Sequence, residues 1–131
     1  MKVGLIGSGF MGKAHAFGFA TAERVFDLPV SFEMDILADA TLDFADAARR
    51  AVGFQRATEN WRDLISDPSI DIVDITAPTA LHKEMALAAI AAGKHVYCEK
   101  PLAPLACDAL EMAEAAEAAG CLLYTSDAAD E

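Results

Sequence analysis

Lys2-Val3-Gly4-Leu5-Ile6-Gly7-Ser8-Gly9-Phe10-Met11-Gly12 is the stretch on which the fold turns. Val3, Leu5 and Ile6 make an apolar run cut short by glycine, the pattern of a strand buried on both faces. Gly7, Gly9 and Gly12 follow at G-x-G-x-x-G spacing, and a helical pattern opens behind them. Gly7 permits the tight turn off the strand, Gly9 lets backbone approach a pyrophosphate, and Gly12 lets the new helix pack closely on the sheet. Free N–H groups and the positive helix end then face the phosphates. Glycine-rich turns also serve as plain strand-to-helix connections, and methyltransferases that use S-adenosylmethionine carry a similar loop. The motif therefore points to a dinucleotide only in the company of the remaining chain.

With 131 residues there is room for one domain with a substantial core. The 54% hydrophobic and 24% charged content belongs to a globular chain. The net charge of −11 argues against nucleic acid or an anionic membrane surface as partner. It reads as solvated helix faces, and it leaves an anionic ligand to be held by local backbone dipoles. No run of 18 apolar residues predicts a membrane span, and the strand begins too early for a signal peptide. Cys98, Cys107 and Cys121 form no CxxC pair, so a reducing cytoplasm is the expected location. His15, His82 and His95 lack metal-ligand spacing, and no metal site is expected.

Along the chain, apolar periodicity predicts a helix from Phe10 to about Val25, with His15 and Lys13 as exposed polar positions in its first turns. Leu28-Pro29 ends or interrupts it. Ser31 to Ala38 reads as a second strand, and Leu42 to Val52 as a second helix with Phe44, Ala45, Ala48 and Val52 on one face, closed by Gly53. Phe54 to Ala57 reads as a short strand. Asn60 caps a brief helix carrying Trp61, Leu64 and Ile65, with Trp61 as packing rather than a ligand contact. Ile70 to Thr76 is the clearest later strand; its Asp71 and Asp74 are tolerable in a central strand only near the ends. Thr79 reads as the N-cap of a helix to Ala92, and His95 to Cys98 as the fifth strand. Leu105 to Ala119 is a further helix with a stripe of Leu105, Ala109, Met112, Ala113 and Ala116, capped by Gly120. Strands alternating with helices throughout predict an α/β fold: a Rossmann-type doubly wound parallel sheet with right-handed crossovers.

Asp39 falls at the tip of the second strand, where an acidic residue accepts hydrogen bonds from the adenosine ribose hydroxyls. Its distance from Gly12, 39 − 12 = 27 residues, exceeds the usual spacing of about 20, which an insertion around Arg24 to Phe32 accounts for. Asp35 competes for the role but lies inside the strand. A carboxylate at this tip repels a 2′-phosphate, so NAD is favoured, with NADP as the alternative.

Lys94 to Leu102, Lys-His-Val-Tyr-Cys-Glu-Lys-Pro-Leu, brings Glu99-Lys100-Pro101 out of the fifth strand at the same crevice. A proline directly after a strand fixes the local turn. The glycine loop, Thr76-Ala77-Pro78 with His82, the Ala92-to-Val96 run and Glu99-Lys100-Pro101 together resemble one family. It is the glucose–fructose oxidoreductase, inositol dehydrogenase and rhizopine-catabolism group (Gfo/Idh/MocA), and the likeness spans about residues 1 to 120, that family's N-terminal cofactor domain.

The resemblance implies that Gly7, Ser8, Gly9, Phe10, Met11 and Gly12 line the pyrophosphate and Asp39 the adenosine ribose. It implies that Thr76, Ala77, Pro78 and His82 border the ribose and nicotinamide, with Glu99 and Pro101 beside the nicotinamide ribose. Lys100 is implied to be the catalytic amine reaching the substrate hydroxyl. A cationic amine there stabilises a developing alkoxide and tunes proton transfer. The implied activity is an NAD(P)-dependent oxidoreductase that moves hydride to or from a CH–OH group of a sugar or cyclitol. The complete protein is expected to be a homo-oligomer carrying an additional α+β substrate domain that supplies a histidine or aspartate partner for Lys100. Residues 121 to 131 (Cys-Leu-Leu-Tyr-Thr-Ser-Asp-Ala-Ala-Asp-Glu) resemble a translated library adapter. The native domain is accordingly read as 1–120, followed by a foreign tail in which Leu122 to Thr125 fills the open sheet edge and the last residues stay loose. On that reading the chain binds cofactor without turning over substrate. The alternatives are a free-standing dinucleotide-binding sensor or regulatory module and, more remotely, a methyltransferase.

Overall fold

A computed structural model of the chain describes residues 1–125. The strands are β1 (Lys2–Ile6), β2 (Glu33–Ala38), β3 (Arg56–Thr58), β4 (Ile72–Ile75), β5 (His95–Cys98) and β6 (Leu123–Thr125). They form one sheet in the order β3-β2-β1-β4-β5-β6, with every recorded pairing parallel. Strand order reverses direction between β1 and β4, the switch point beside which doubly wound sheets hold their ligands. The helices are α1 (Phe10–Val25), α2 (Leu42–Val52), α3 (Trp61–Ser66), α4 (His82–Ala91) and α5 (Ala106–Ala119).

The period of two along each strand sends side chains to opposite faces, and here both faces are covered. Ile6, Ile36, Val73, Ile75, Val96 and Cys98 pack on α3, α4 and α5 through Leu64, Ile65, Met85, Ala89, Ile90 and Met112. Leu5 and Leu37 face the other way, onto Ala16, Ala45, Ala48 and Phe54. Each leucine or isoleucine buried this fully contributes roughly 1.5–3 kcal/mol.

The amino-terminal edge of the sheet is tied by charge. Asp35, buried in β2, pairs with Lys2 at 3.0 Å and with Arg56 at 2.7 Å. Arg56 also reaches Asp67 at 2.7 Å. Lys94 donates its Nζ to the carbonyls of Asp67 and Ile70 at 2.8 and 2.7 Å. The Arg56 guanidinium bonded to Asp35 holds that carboxyl below its ordinary range, against the opposing effect of burial. Asp67 lies well below it too, through the Ser69 backbone N–H first and then the Ser69 hydroxyl and Arg56.

Several expectations need correction. His15 is not an exposed position: α1 turns it inward beneath the sheet's carboxyl edge. Asp74 stands within β4 and is buried; the strand tolerates it because His15 meets it. Thr79 does not cap an α-helix but opens a 3-10 turn, Thr79–Leu81, that runs into α4 without a side-chain cap. Phe44 is exposed, so the inward face of α2 is Ala45 and Ala48. Leu105 is 60% exposed and Ala113 is also outside, leaving Met112 and Ala116 as the buried seam of α5. Helix α1 ends at Val25 as expected, but β2 starts at Glu33 rather than Ser31. At the sheet edge, Leu123–Thr125 pairs with Val96–Cys98. The expected loose end, residues 127–131, lies outside the described residues.

Candidate active site

The loops at the carboxyl ends of β1, β2, β3 and β4 enclose a crevice of about 620 Å³, within the range of small-molecule sites. Its floor is the β1–α1 turn. Gly7 has φ of +97°, a region other residues enter only with strain. A Cβ on Gly7 would lie 2.9 Å from the Thr76 backbone, and one on Gly12 only 2.2 Å from the Gly7 carbonyl oxygen. These two glycines are thus demanded by packing. A Cβ on Gly9 would meet nothing within 4 Å, so Gly9 leaves open room above the backbone. The Thr76 hydroxyl donates to the Gly7 carbonyl at 2.8 Å, and the Gly7 N–H donates to Ala38 at 2.9 Å, locking the turn between β2 and β4.

Helix α1 has Gly9 at its N-cap position, with no side-chain cap and no acidic residue in its first turn. Its leading N–H groups and partial positive charge are left for an anion, as a pyrophosphate requires. Ser8, Gly9 and the uncrowded helix end therefore fit a dinucleotide on the structure's own terms. Phe10 and Met11 continue this first turn on its exposed side.

Asp39 stands opposite, directly after β2. Its Oδ2 accepts the Ser8 N–H at 2.9 Å and also the Ser8 hydroxyl, and Oδ1 accepts the Ala40 N–H at 2.6 Å. Asp35, by contrast, is committed to Lys2 and Arg56 at the other edge of the sheet. The crevice wall beyond Asp39 is made by Glu59 and Trp61, and across from them by Ala77, Pro78, Leu81 and Met85. Trp61 is partly buried against the core, with the Arg62 guanidinium 4.0 Å above its ring, and it also lines the crevice. The reading of Trp61 as packing holds for its contact with the core, and its place in the first turn after β3 also sets it on the crevice wall.

Beside this crevice, the end of β5 is organised by buried charge. His82 is 1% exposed. Its Nε2 lies 2.7 Å from the Ala77 carbonyl and its Nδ1 3.1 Å from the Pro101 carbonyl. It therefore ties the Thr76-Ala77-Pro78 loop to the Glu99-Lys100-Pro101 turn from behind, instead of facing the crevice. Glu99 is buried as well, one carboxylate oxygen on His15 Nε2 at 3.3 Å and the other accepting the Lys100 N–H at 2.8 Å. Lys100 is exposed and precedes a cis peptide bond to Pro101. Glu99, Lys100 and Pro101 thus stand next to the enclosed crevice but are not among its lining residues.

His15 completes this side. Its Nδ1 lies 2.9 and 3.1 Å from the two Asp74 oxygens, and its ring stacks on Tyr97 at 4.7 Å and 13°. Burial disfavours protonation of His15, but the Asp74 and Glu99 carboxylates outweigh it and raise its pKa. Burial raises Asp74, and burial likewise pushes Cys98, the last residue of β5, up to about 12. One signal could have exposed His15: Gly12, His15, Ala16 and Phe19 fall at i, i+3, i+4 and i+7, a single helix face. No cluster of three metal-ligating side chains occurs among the described residues, nor does any helix among them reach the length and apolarity needed to cross a membrane.

A glycine-turn crevice at the switch point of a 3-2-1-4-5-6 parallel sheet defines a dinucleotide-binding Rossmann domain. The model of the NAD-binding Rossmann-fold oxidoreductase family, Gfo/Idh/MocA, matches residues 1–126, and the chain belongs to that family. It is 47% identical over 104 residues to levoglucosan dehydrogenase of Pseudarthrobacter phenanthrenivorans, covering 79% of this chain and 27% of that protein. It is 36% identical over 122 residues to inositol 2-dehydrogenase of Acidothermus cellulolyticus, covering 92% of this chain and 33% of that one. A solved structure of levoglucosan dehydrogenase in complex with NADH and levoglucosan superposes with a TM-score of 0.94 at 40% identity, over 96% of this chain and 34% of the other. The chain therefore spans about a third of the length of these relatives.

Proposed function

We propose that this chain forms the cofactor-binding part of an oxidoreductase acting on a hydroxyl of a sugar or cyclitol, with Lys100 as its proton-handling residue. The observation that carries this reading is the adjacency of two features. One is a glycine turn with an open helix end; the other is a lysine delivered to the same sheet edge by the neighbouring strand. The names of the relatives support the substrate class.

In this reading Gly7, Ser8 and Gly9 hold the pyrophosphate, flanked by the Phe10–Gly12 turn, and Asp39 exchanges its Ser8 and Ala40 contacts for the adenosine ribose. Trp61 and Leu81 offer an apolar wall to a flat ring. Thr76, Ala77 and Pro78 border the path toward β5, with His82 and Pro101 fixing that border from behind. Bound NAD supplies the hydride-accepting chemistry. The Lys100 amine meets the substrate hydroxyl, stabilises charge developing on its oxygen and passes its proton onward. The lack of an arginine directly after Asp39, together with its carboxylate, favours NAD over NADP.

Binding is read on the chain itself. Trp61 is its single tryptophan, so NADH entering the crevice changes its emission directly. For catalysis, the complete reading frame containing this chain is expressed and offered levoglucosan, myo-inositol and related polyols with NAD. NADH should accumulate with at least one of them, and Lys100→Ala should lower kcat by about 10²- to 10⁴-fold. NADH binding without turnover of any polyol, and without an effect of Lys100→Ala, would leave a dinucleotide-binding module instead of this enzyme.

A further inference from the structure

We infer that His15 is a positioning residue for the Lys100 turn: its imidazole, wedged between Asp74 and Glu99, orients the Glu99 carboxylate that in turn holds the Lys100 backbone. The inference deepens the reading of Lys100 as the residue beside the substrate.

The arrangement is a relay of fixed contacts through three elements. Asp74 comes from β4, His15 from α1, and Glu99 from the end of β5, positions separated by 59 and 84 residues from His15. With a proton on each nitrogen the ring donates to both carboxylates, Asp74 through Nδ1 and Glu99 through Nε2. Glu99 then uses its second oxygen on the Lys100 N–H. No buried side-chain nitrogen or oxygen among the described residues lacks a partner, so the cluster is complete as it stands. Removing the ring proton would leave two buried carboxylates sharing a ring with one donor. One of them must then turn away, and we assign this to Glu99, which follows β5, whereas Asp74 stands inside β4.

The other groups facing His15 do not offer an alternative counter-charge. From β5 it meets Tyr97, whose phenol is raised by burial and by both carboxylates. Tyr124 of β6 stands behind Tyr97 with ring centroids 5.9 Å apart. On α1 itself the nearest charged residue, Lys13, is exposed. The two carboxylates are therefore what set the protonation of His15, and Glu99 carries that protonation to the Lys100 backbone.

The experiment follows the His15 ring nitrogens and the Lys100 backbone amide by ¹⁵N NMR from about pH 5.5 to 9.5. The Lys100 amide should move with the same midpoint as His15. Asp74→Asn should lower that midpoint by about 1–3 pH units with the amide still following it. His15→Gln should abolish the amide transition and weaken NADH by about tenfold while leaving ADP-ribose, which lacks the nicotinamide, unchanged. An amide that stays silent through the His15 midpoint overturns the inference, and so does equal weakening of NADH and ADP-ribose. The titration of the unaltered chain needs no variant to fold. If the chain bound no NADH at all, the cofactor reading would fail while the coupling between His15 and Lys100 would still be decided by the amide.

Discussion

The two halves of the sheet's carboxyl edge are built on opposite plans. Around β1 and β2 the site is made by leaving side chains out: Gly7 and Gly12 close the backbone on itself, and Gly9 keeps space above it. Around β4 and β5 it is made by putting polar side chains in, with His15, Asp74, Glu99 and His82 all buried. The first half presents backbone dipoles that do not titrate. The second holds its shape through protons. In the proposed reading such a site separates grip from adjustment: backbone N–H groups would hold phosphate independently of pH, while the geometry beside Lys100 would respond to it.

The strongest way to break the first half is Gly12→Ala. With the new Cβ driven onto the Gly7 carbonyl, a thermal melt should show a loss of about 1–3 kcal/mol, and NADH binding should vanish with it. Gly9→Val should part these effects. Its side chain has open space in the folded chain, so the melt should barely change, yet NADH should bind more than about tenfold more weakly by Trp61 fluorescence. Equal losses in both variants would mean that Gly9, too, serves the fold. Asp39→Ala comes next, with NADH weakened about tenfold and the preference for NADH over NADPH narrowed; unchanged affinity for both would remove Asp39 from the site.

The smallest effects sharpen the second half through pH. Because the folded pKa of His15 is raised above 6.5, its proton contributes stability fully below pH 6.5, and that contribution is lost as pH rises through the folded value. Melting temperature should fall across this alkaline range, and His15→Gln should flatten that fall. On the acid side the signs reverse. Asp35 and Asp67 have folded values below 3.8, so their contribution is present above pH 3.8 and lost as pH drops through those lower values. Arg56→Ala should weaken this acid dependence without touching the alkaline one.

The same contrast explains what could be read in advance. Glycine spacing, strand–helix alternation and the position of Asp39 are local, and they disclosed the sheet, its class and the residues that meet at the glycine-turn crevice. The β5 side depends on residues far apart in sequence. Asp74 looked out of place, but its adjacent residues Val73 and Ile75 face the helices on one side of the sheet, and strand alternation sends Asp74 to the other, toward α1, where His15 waits. A pattern within one strand cannot supply the partner on a helix 59 residues away. Thr79 misled for a related reason: a good capping residue before a helix does not reveal that a 3-10 turn intervenes. Leu105 was placed inside by periodicity, but only the central turns of α5 reach the core.

The ion pairs that join strand to strand among the described residues, Lys2 to Glu33 and Asp35 and Arg56 to Asp35, all lie toward the amino edge. These ties therefore sit at one end of the sheet and the glycine-turn crevice at the other. For a lineage exploring new substrates this is a form of insurance: loops at the carboxyl edge can be exchanged, lengthened or recharged while the strands stay in step. It also marks out a practical territory for engineering, since a library confined to the residues after β2, β3 and β4 leaves every one of those cross-strand ties in place.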